Sequence, residues 1–198
     1  MRELIMGNEA MGLAALDAGV SVCAGYPGTP SSEILETVAK ERSDEVYVEW
    51  SVNEKAALEL AAGAAIAGAR ALVTMKQVGS NVALDPLMSL RYLGVKGGLV
   101  LIIADDPGPV SSQTEQDTRT LGLYSKVPVL DPATPEEAYE MVRMAFDLSE
   151  QWETPVIVRP VTRVCHGNAP IERRAARKVN EADGFEKDPR WVIFPKLS

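Results

Sequence analysis

The chain has 198 residues, of which 46% are hydrophobic and 24% charged, so it is long enough for one domain with a substantial core. Its formal net charge of −8 argues against a general affinity for nucleic acid or for an anionic membrane. No apolar run is long enough to cross a bilayer, and the first residues carry acidic groups instead of an apolar signal core.

Apolar, β-branched runs recur along the chain and predict strands. The predicted strands cover residues 20–26, 46–51, 71–76, 99–104, 127–130 and 155–161. Helix-like segments lie between them. This alternation predicts an α/β fold with a mainly parallel sheet and helices on both faces.

Three of the intervening segments have clear helical patterns. Residues 33–40 place apolar side chains on one face, and residues 134–149 open with Thr-Pro-Glu-Glu, which is a capping box with proline at the first helical position. Residues 56–68 are almost all small. Such a helix is either buried within its own domain or packed against another domain or subunit, and the sequence leaves both possibilities open.

The composition changes after Val164. Residues 172–187 are charged with little apolar periodicity, and the apolar group Trp191, Val192, Ile193 and Phe194 follows. We therefore assign residues 1–165 to one domain and residues 166–198 to a charged carboxyl-terminal tail. The tail is either a solvated linker whose end docks on a surface or a connection to a further domain.

The two cysteines, Cys23 and Cys165, are far apart and lack CxxC spacing, so no structural disulfide is expected and a cytoplasmic location is the default. Cys23 lies in an apolar run and is expected in the core. His166 is the only histidine, and without a second histidine nearby we predict no metal ligands.

Four predicted strands end in segments rich in glycine, proline and uncharged polar residues. We name them segment A (residues 25–32, GYPGTPSS), segment B (50–54, WSVNE), segment C (76–81, KQVGSN) and segment D (105–117, DDPGPVSSQTEQD). In open parallel sheets, ligands bind beyond the carboxyl ends of the strands. The four segments together therefore predict a binding site at that edge.

Each segment also has a purely structural interpretation. Thr29 before Pro30 has the pattern of a helix N-cap, and Ser51 to Glu54 has that of a capping box. Residues 77–81 could form a turn that leads into a helix, and residues 105–108 are a good turn sequence by themselves. The sequence contains no P-loop, GxGxxG, GxSxG or HExxH motif, so a self-contained kinase, dehydrogenase or hydrolase is not supported.

Three stretches in combination are typical of a known family: GNEAMGLAALDAGVSVCAGYPGTPSSEI, VEWSVNEKAALELAAGAA and ADDPGPVSSQTEQDTR. They resemble the amino-terminal domain of the alpha subunit of indolepyruvate ferredoxin oxidoreductases, within the thiamine-diphosphate-dependent 2-oxoacid:ferredoxin oxidoreductases. The resemblance continues to the closing FEKDPRWVIFP. It implies a thiamine-diphosphate-binding fold in which this pyrimidine-binding domain contacts the aminopyrimidine ring of the cofactor.

The resemblance also implies roles for individual residues. Glu54 matches the catalytic glutamate that hydrogen-bonds ring nitrogen N1′, and we expect Trp50, Val52 and the alanine-rich helix to limit its access to solvent. The residues assigned to the cofactor are Pro27, Gly28, Thr29, Glu54, Gln77, Gly79 and Asn81. Those assigned to the substrate are Thr29, Ser112 and Gln113.

Two motifs of the complete enzymes are missing. The chain has neither the GDG motif of the diphosphate-binding domain, which helps to hold magnesium, nor the CxxCxxCxxxCP runs that bind iron–sulfur clusters. We therefore expect the chain to be inactive alone. The resemblance implies that diphosphate-binding and iron–sulfur domains or subunits, a beta subunit and ferredoxin complete the enzyme, that coenzyme A acts only there, and that the assembly is an oligomer.

The expected reaction is the oxidative decarboxylation of indolepyruvate or another arylpyruvate to an acyl-coenzyme A, with electrons passing to ferredoxin. Relatives that act on pyruvate bind its carboxylate with an arginine in the region of segment D. That region here begins Asp105-Asp106-Pro107, which argues against pyruvate. Two alternatives remain: a subunit of a non-redox thiamine-dependent 2-oxoacid decarboxylase, and a non-catalytic module that retains the fold.

Overall fold

Eight strands and seven α-helices make up the computed structural model, which describes residues 2–193. The strands are β1 (Glu3–Met6), β2 (Val22–Gly25), β3 (Tyr47–Trp50), β4 (Ala71–Lys76), β5 (Leu99–Ala104), β6 (Val129–Leu130), β7 (Val156–Val158) and β8 (Asn168–Ile171). The helices are α1 (Gly7–Asp17), α2 (Ser32–Glu41), α3 (Glu54–Ile66), α4 (Gly79–Leu93), α5 (Thr118–Ser125), α6 (Pro135–Trp152) and α7 (Thr162–Cys165), followed by a short 3-10 helix at Pro189–Trp191. None of the helices in this part of the chain is long and apolar enough to span a membrane.

Six strands form one parallel sheet in the order β3-β2-β4-β5-β7-β6. Gly25 at the end of β2 is level with Trp50 of β3 and with Thr74 of β4. Because all six strands point the same way, the segments that follow β2, β3, β4 and β5 emerge at one edge. The predicted parallel α/β sheet and the predicted gathering of segments A to D are therefore confirmed.

Helices cover both faces of this sheet, as predicted. Alternate residues of β5 show the arrangement: Val100 and Ile102 join a cluster with α1, α2 and α6, whereas Leu101 and Ile103 join a cluster with α3 and α4. Every residue of β5 is buried. Burial on both faces explains why the central strands are continuous apolar runs instead of alternating patterns.

The small sheet of β1 and β8 was not predicted. The two strands pair antiparallel, with Glu3 opposite Ile171 and Met6 opposite Asn168. Both are only four residues long, and β8 contains Pro170. The apolar stretch of β1 is just three residues, Leu4 to Met6, and β8 has none, so neither matches the longer β-branched runs by which the sequence predicts strands. Residues 168–171, which the proposed division assigns to the tail, thus pair with the first strand of the domain.

The alanine-rich helix α3 lies mainly inside the domain. Ala57, Ala61 and Ala65 are fully buried, in the cluster that also contains residues of α4, β4 and β5. Their small size lets α3 pack closely on these elements. Of the two possibilities left open by the sequence, the buried helix accounts for these three residues.

The charged tail runs along the amino-terminal edge of the sheet, opposite segments A to D. Arg173 binds the buried carboxylate of Asp17, with Nη2 2.6 Å from Oδ1 and Nε 3.0 Å from Oδ2. The Asn180 side chain accepts a hydrogen bond of 2.6 Å from the Arg70 backbone N–H. These contacts hold the described part of the tail against the domain, so it is not a freely solvated linker there. Phe194, part of the predicted apolar end, lies outside the described residues.

Candidate active site

Segment A is a tight loop braced by its own serines. The Gly28 N–H donates to Ser32 Oγ at 2.9 Å, and Ser31 Oγ donates to the Gly28 carbonyl at 2.8 Å. The Thr29–Pro30 peptide is cis, and α2 begins only at Ser32, with Ser31 as its N-cap residue. The interpretation of Thr29 as a helix cap is therefore wrong. Thr29 is instead exposed on the loop.

A buried asparagine on α1 holds segment A in place through hydrogen bonds. Asn8 is fully buried, and its Nδ2 donates to the Pro30 carbonyl at 2.7 Å and to Glu33 Oε2 at 2.8 Å. Sequence reasoning missed Asn8. The available signal was an amide side chain in a segment, residues 7–16, that is otherwise almost entirely apolar.

Segment B starts α3 in a different way from the prediction. Asn53 is the N-cap, with an extended backbone and an Oδ1 that accepts from the Ala56 N–H at 2.9 Å. Ser51 still follows the path of β3, because its N–H donates to the Gly25 carbonyl at 2.9 Å, and its hydroxyl binds Glu49. The predicted capping box of Ser51 and Glu54 is therefore wrong, and Glu54 is not needed to cap the helix.

Glu54 lies at the beginning of α3, where the helix dipole favours a negative charge. Its side chain is 8% exposed, and within residues 2–193 its carboxylate makes no hydrogen bond or ion pair with another group. Gly79, the first residue of α4, packs directly on it: a β-carbon there would lie 2.5 Å from Glu54 Oε1. Glu54 is thus a largely buried acceptor with unused capacity, which an N–H group of a ligand could satisfy.

The expected shielding by Trp50 and Val52 is wrong for this chain. Trp50 is 43% exposed and Val52 84% exposed, because β3 is the edge strand and segment B leaves the sheet there. Tyr26 of segment A is also exposed, at 39%. These three side chains are therefore exposed at the edge of the sheet where segments A and B emerge, whereas Glu54 itself is 8% exposed.

Segment C contributes a second buried polar group with unused capacity. Gln77 is fully buried, and its Nε2 donates to the Thr114 carbonyl of segment D at 3.1 Å. Its Oε1 has no hydrogen-bond partner. Asn81 points elsewhere: it is exposed and lines a cavity of about 340 Å³ between α4 and α5, together with Asp117 and Tyr124.

Lys76 joins three of the segments and was missed by sequence reasoning. Its Nζ lies 3.2 Å from Gln113 Oε1 of segment D. Its aliphatic stem packs on Gly28 of segment A, where a β-carbon would come within 3.0 Å of Lys76 Cδ. The signal in the sequence was that Lys76 is the only basic residue of segments A to D.

The acidic pair that opens segment D is structural. Asp106 Oδ2 accepts hydrogen bonds from the backbone N–H groups of residues 110, 111 and 112, at 3.0, 2.9 and 3.1 Å, and Oδ1 accepts one from Thr162 at 2.8 Å. Burial alone would raise the pKa of Asp106, but these hydrogen bonds together lower the pKa below its usual value. The fold of residues 110–112 therefore depends on an ionised Asp106.

The carboxylate of Asp105 is also fully engaged by donors from the protein. It accepts from the Thr118 N–H at 2.9 Å and pairs with Arg159, whose Nε lies 2.6 Å from Oδ2. Arg159 is itself 7% exposed and also contacts Asp131. Neither member of this buried pair is available to a ligand.

The predicted site residues therefore divide into those that the structure joins by contact and those that it does not. Gly79 touches Glu54, and Gly28 is joined to Gln113 through Lys76. Ser112 is partly buried in the turn held by Asp106. Pro27 and Thr29 are exposed on the loop around Gly28. The roles of all these residues toward a ligand stay predictions.

The residues present fit one half of thiamine diphosphate better than the other. Glu54 and Gln77 Oε1 are buried acceptors without a partner within residues 2–193, which suits a nitrogen-rich ring, and the glycines at 28 and 79 leave room beside Lys76 and Glu54. A diphosphate needs several cationic or metal ligands. Segments A to D contain one basic residue, and among the described residues no cluster of His, Cys, Asp or Glu could hold a metal ion.

The parallel sheet, with segments A to D gathered beyond the carboxyl ends of its strands, thus defines an α/β domain with a candidate ligand site at that edge. The family model described as pyruvate flavodoxin/ferredoxin oxidoreductase, thiamine-diphosphate-binding, matches residues 13–188. The chain belongs to this family, which confirms the resemblance found in the sequence.

Named relatives support the same family assignment. The chain is 47% identical over 173 residues to indolepyruvate oxidoreductase subunit IorA of Archaeoglobus fulgidus, covering 85% of this chain and 28% of that protein. It is 46% identical over 204 residues to the subunit of the same name from Pyrococcus abyssi, covering 98% of this chain and 31% of that protein. The chain therefore spans less than a third of the length of these relatives.

A solved structure has the same fold. The 2-oxoglutarate:ferredoxin oxidoreductase from Magnetococcus marinus, with 2-oxoglutarate, coenzyme A and succinyl-CoA bound, superposes with a TM-score of 0.77 at 21% identity. The match covers 98% of this chain and 36% of that one. At this identity the likeness shows the fold alone, and it confirms the predicted fold class.

Proposed function

We propose that this chain forms the aminopyrimidine-binding part of a thiamine diphosphate site in an oxidoreductase that acts on indolepyruvate or a similar arylpyruvate. The observation that carries the proposal is Glu54, a largely buried carboxylate without a partner, seated against Gly79 at the carboxyl edge of the sheet. Its support is the 43–47% identity to subunits named indolepyruvate oxidoreductase.

Glu54 would act on the cofactor ring through one hydrogen bond. Its carboxylate would hold the proton at N1′, and burial strengthens this bond because little water competes for it. Gln77 Oε1 is buried without a hydrogen-bond partner in the described part of the chain, so a small movement of this side chain toward the edge would give an amino group of the ring a second acceptor. When bound, thiamine diphosphate supplies the electron sink that allows a 2-oxoacid to lose carbon dioxide. The residues of this chain would orient the ring, and Glu54 would hold the proton at N1′.

The substrate would lie on the same edge, near Thr29 of segment A and Ser112 and Gln113 of segment D. Exposed apolar side chains in these segments, Tyr26 and Val110, suit the aromatic group of an arylpyruvate. Pro27 and Gly28 would let the cofactor and the substrate approach the backbone of segment A.

The remaining parts of the enzyme would come from other domains or subunits. A diphosphate-binding domain would hold magnesium and the diphosphate, and iron–sulfur domains or subunits, a beta subunit and ferredoxin would take the electrons, with coenzyme A accepting the acyl group in a cytoplasmic oligomer. The low count of basic residues in segments A to D supports this division. So does the much greater length of the relatives, which are themselves named as subunits.

The test uses the complete enzyme that contains this chain. Indolepyruvate, thiamine diphosphate with magnesium, and coenzyme A should together reduce ferredoxin or a low-potential viologen dye, and pyruvate should be a much poorer substrate. Omission of thiamine diphosphate should abolish the reaction. Release of carbon dioxide and an aldehyde without reduction of the acceptor would instead show a non-redox decarboxylase. No thiamine-dependent turnover of any 2-oxoacid would contradict the proposal altogether.

A further inference from the structure

Lys76 is a cation without an anionic partner at an edge where the other charged groups described above are mostly occupied. It is the last residue of β4, and among the described residues its one polar side-chain contact is the neutral Gln113 amide oxygen, 3.2 Å from Nζ. No acidic side chain within residues 2–193 forms an ion pair with it. By contrast, Arg159 is neutralised by Asp105, and Arg119 is neutralised by Asp117, with 2.7 Å between their charged atoms.

The position of the lysine stem is fixed by segment A. A β-carbon on Gly28 would lie 3.0 Å from Lys76 Cδ and 3.1 Å from Cγ, so the stem already packs against the backbone beside Thr29. The ammonium end lies at Gln113. Lys76 therefore spans the space between the two segments that are predicted to contact substrate.

The charges of the site favour such a group. A 2-oxoacid brings a carboxylate into an edge that already holds Glu54, while Asp105 and Asp106 are occupied by protein donors. Like charges in a partly buried site repel each other, so a cation nearby would favour binding of the anion. An ammonium–carboxylate hydrogen bond is charge-assisted and about twice as strong as a neutral one.

We propose that Lys76 binds the carboxylate of the 2-oxoacid substrate, with Gln113 positioning its ammonium group. This inference rests on the proposed function and assigns the substrate anion to a residue that the sequence did not single out. Segment D itself has no arginine, and Arg119, two residues after it, is paired with Asp117. A lysine on the neighbouring strand can supply the positive charge as a flexible point charge instead.

The test compares Lys76→Met with wild type in the complete enzyme. Loss of the charge-assisted bond should raise KM for indolepyruvate roughly 10- to 100-fold, while the KM for coenzyme A and the Kd for thiamine diphosphate stay within about twofold. Lys76→Arg should recover part of the loss, and Lys76→Gln provides a polar variant if the methionine variant does not fold. Lys40→Met is the matched control, since Lys40 is exposed on α2 beside Glu41, and it should leave all these constants unchanged.

A binding measurement isolates the carboxylate. Calorimetry should show that wild type prefers indole-3-lactate, which has the carboxylate but cannot be decarboxylated, over indole-3-ethanol, which lacks it. Lys76→Met should abolish that preference. An unchanged preference and an unchanged KM would overturn the inference, and so would weakened thiamine diphosphate binding as the sole effect.

One further readout separates this inference from the proposed function. Proton exchange at C2 of the bound cofactor does not involve the substrate carboxylate, so it should be normal in Lys76→Met. Normal exchange with unchanged substrate binding would reject the role of Lys76 and would leave the proposed function intact. Exchange in the wild-type enzyme that is no faster than in free thiamine diphosphate would reject the proposed function itself and, with it, this inference.

Discussion

Gly79 lies against the carboxylate of Glu54 so closely that a β-carbon at position 79 would come 2.5 Å from Oε1 and 2.8 Å from Cδ. The two residues belong to the first turns of neighbouring helices on the same face of the sheet. Only glycine leaves the carboxylate where it is. The position of the candidate catalytic group thus depends on the absence of a side chain on another helix.

Gly79→Ala should therefore displace Glu54 without removing it. A displacement of the order of 1 Å typically costs about 100-fold in rate, so we expect the activity of the complete enzyme to fall by about 10- to 100-fold. The variant should remain folded, with a loss of about 1–3 kcal/mol from overpacking. Steady-state kinetics and thermal unfolding measure the two effects.

Gly63→Ala is the matched control for that substitution. It introduces the same methyl group on α3, but apart from the adjoining residues and backbone of the helix itself no atom lies within 4 Å of the new β-carbon. Activity should be unchanged, and stability should rise by up to about 1 kcal/mol because alanine is the better helix former. Near-normal activity in Gly79→Ala would show that Glu54 does not need its present position.

The isolated chain should bind thiamine diphosphate weakly or not at all, even with magnesium. Charge-assisted contacts to the diphosphate supply much of the affinity for such cofactors, and segments A to D offer one basic residue. Calorimetric titration of this chain, with the complete enzyme as the control, measures the difference. Tight, stoichiometric binding to the lone chain would show that it holds the diphosphate by itself.

The central strands could be predicted from the sequence because their burial is encoded locally. β4 and β5 have the predicted bounds, and nearly every residue in them is buried. The outer strand β6 is two residues long instead of the predicted four, 127–130, since it pairs only with β7. β1 has an apolar stretch of only three residues and β8 has none, and their pairing joins the two ends of the domain, which no local pattern can indicate.

The sequence predicted where the candidate site lies, at the carboxyl edge of the sheet, but it did not predict the contacts between its residues. Two good capping residues, Ser51 and Asn53, stand two positions apart, and only the hydrogen bond from Ser51 to Gly25 decides between them. The contact between Lys76 and Gln113 joins residues 37 positions apart and depends on β4 and β5 being neighbours. Such contacts follow from strand order, which the sequence does not reveal.

Asp106 should make stability depend on pH in the acidic range. Its pKa in the folded state is lowered, so it stabilises the fold fully above the ordinary aspartate pKa of about 3.9, and this contribution is lost as pH falls through the folded-state value. At neutral pH, Asp106→Asn should cost about 1–3 kcal/mol. Urea unfolding between pH 7 and pH 2.5 should show the difference from wild type shrinking below about pH 4. A difference that stays constant down to the lowest pH would mean that the ionised carboxylate is not responsible.

The tail should stabilise the domain through Arg173. Asp17 is 1% exposed, and Arg173→Met would leave it with Tyr139 as its remaining side-chain partner. We expect a loss of about 1–3 kcal/mol for this partly buried pair. Arg174→Met breaks only an exposed pair with Glu140 and should cost less than about 1 kcal/mol. Chemical denaturation of the two variants gives the comparison, and equal losses would argue against the anchoring role of Arg173.

The most direct measurement of the central claim is the rate of deuterium exchange at C2 of thiamine diphosphate bound to the complete enzyme, in Glu54→Ala and in Asn53→Ala. If Glu54 holds the proton at N1′, Glu54→Ala should slow exchange by about 100- to 10,000-fold with little change in melting temperature. Asn53→Ala should cost about 1 kcal/mol of stability through loss of the helix cap and leave exchange nearly normal. Near-normal exchange in Glu54→Ala, with a lowered melting temperature, would contradict the account and make Glu54 a structural residue of α3.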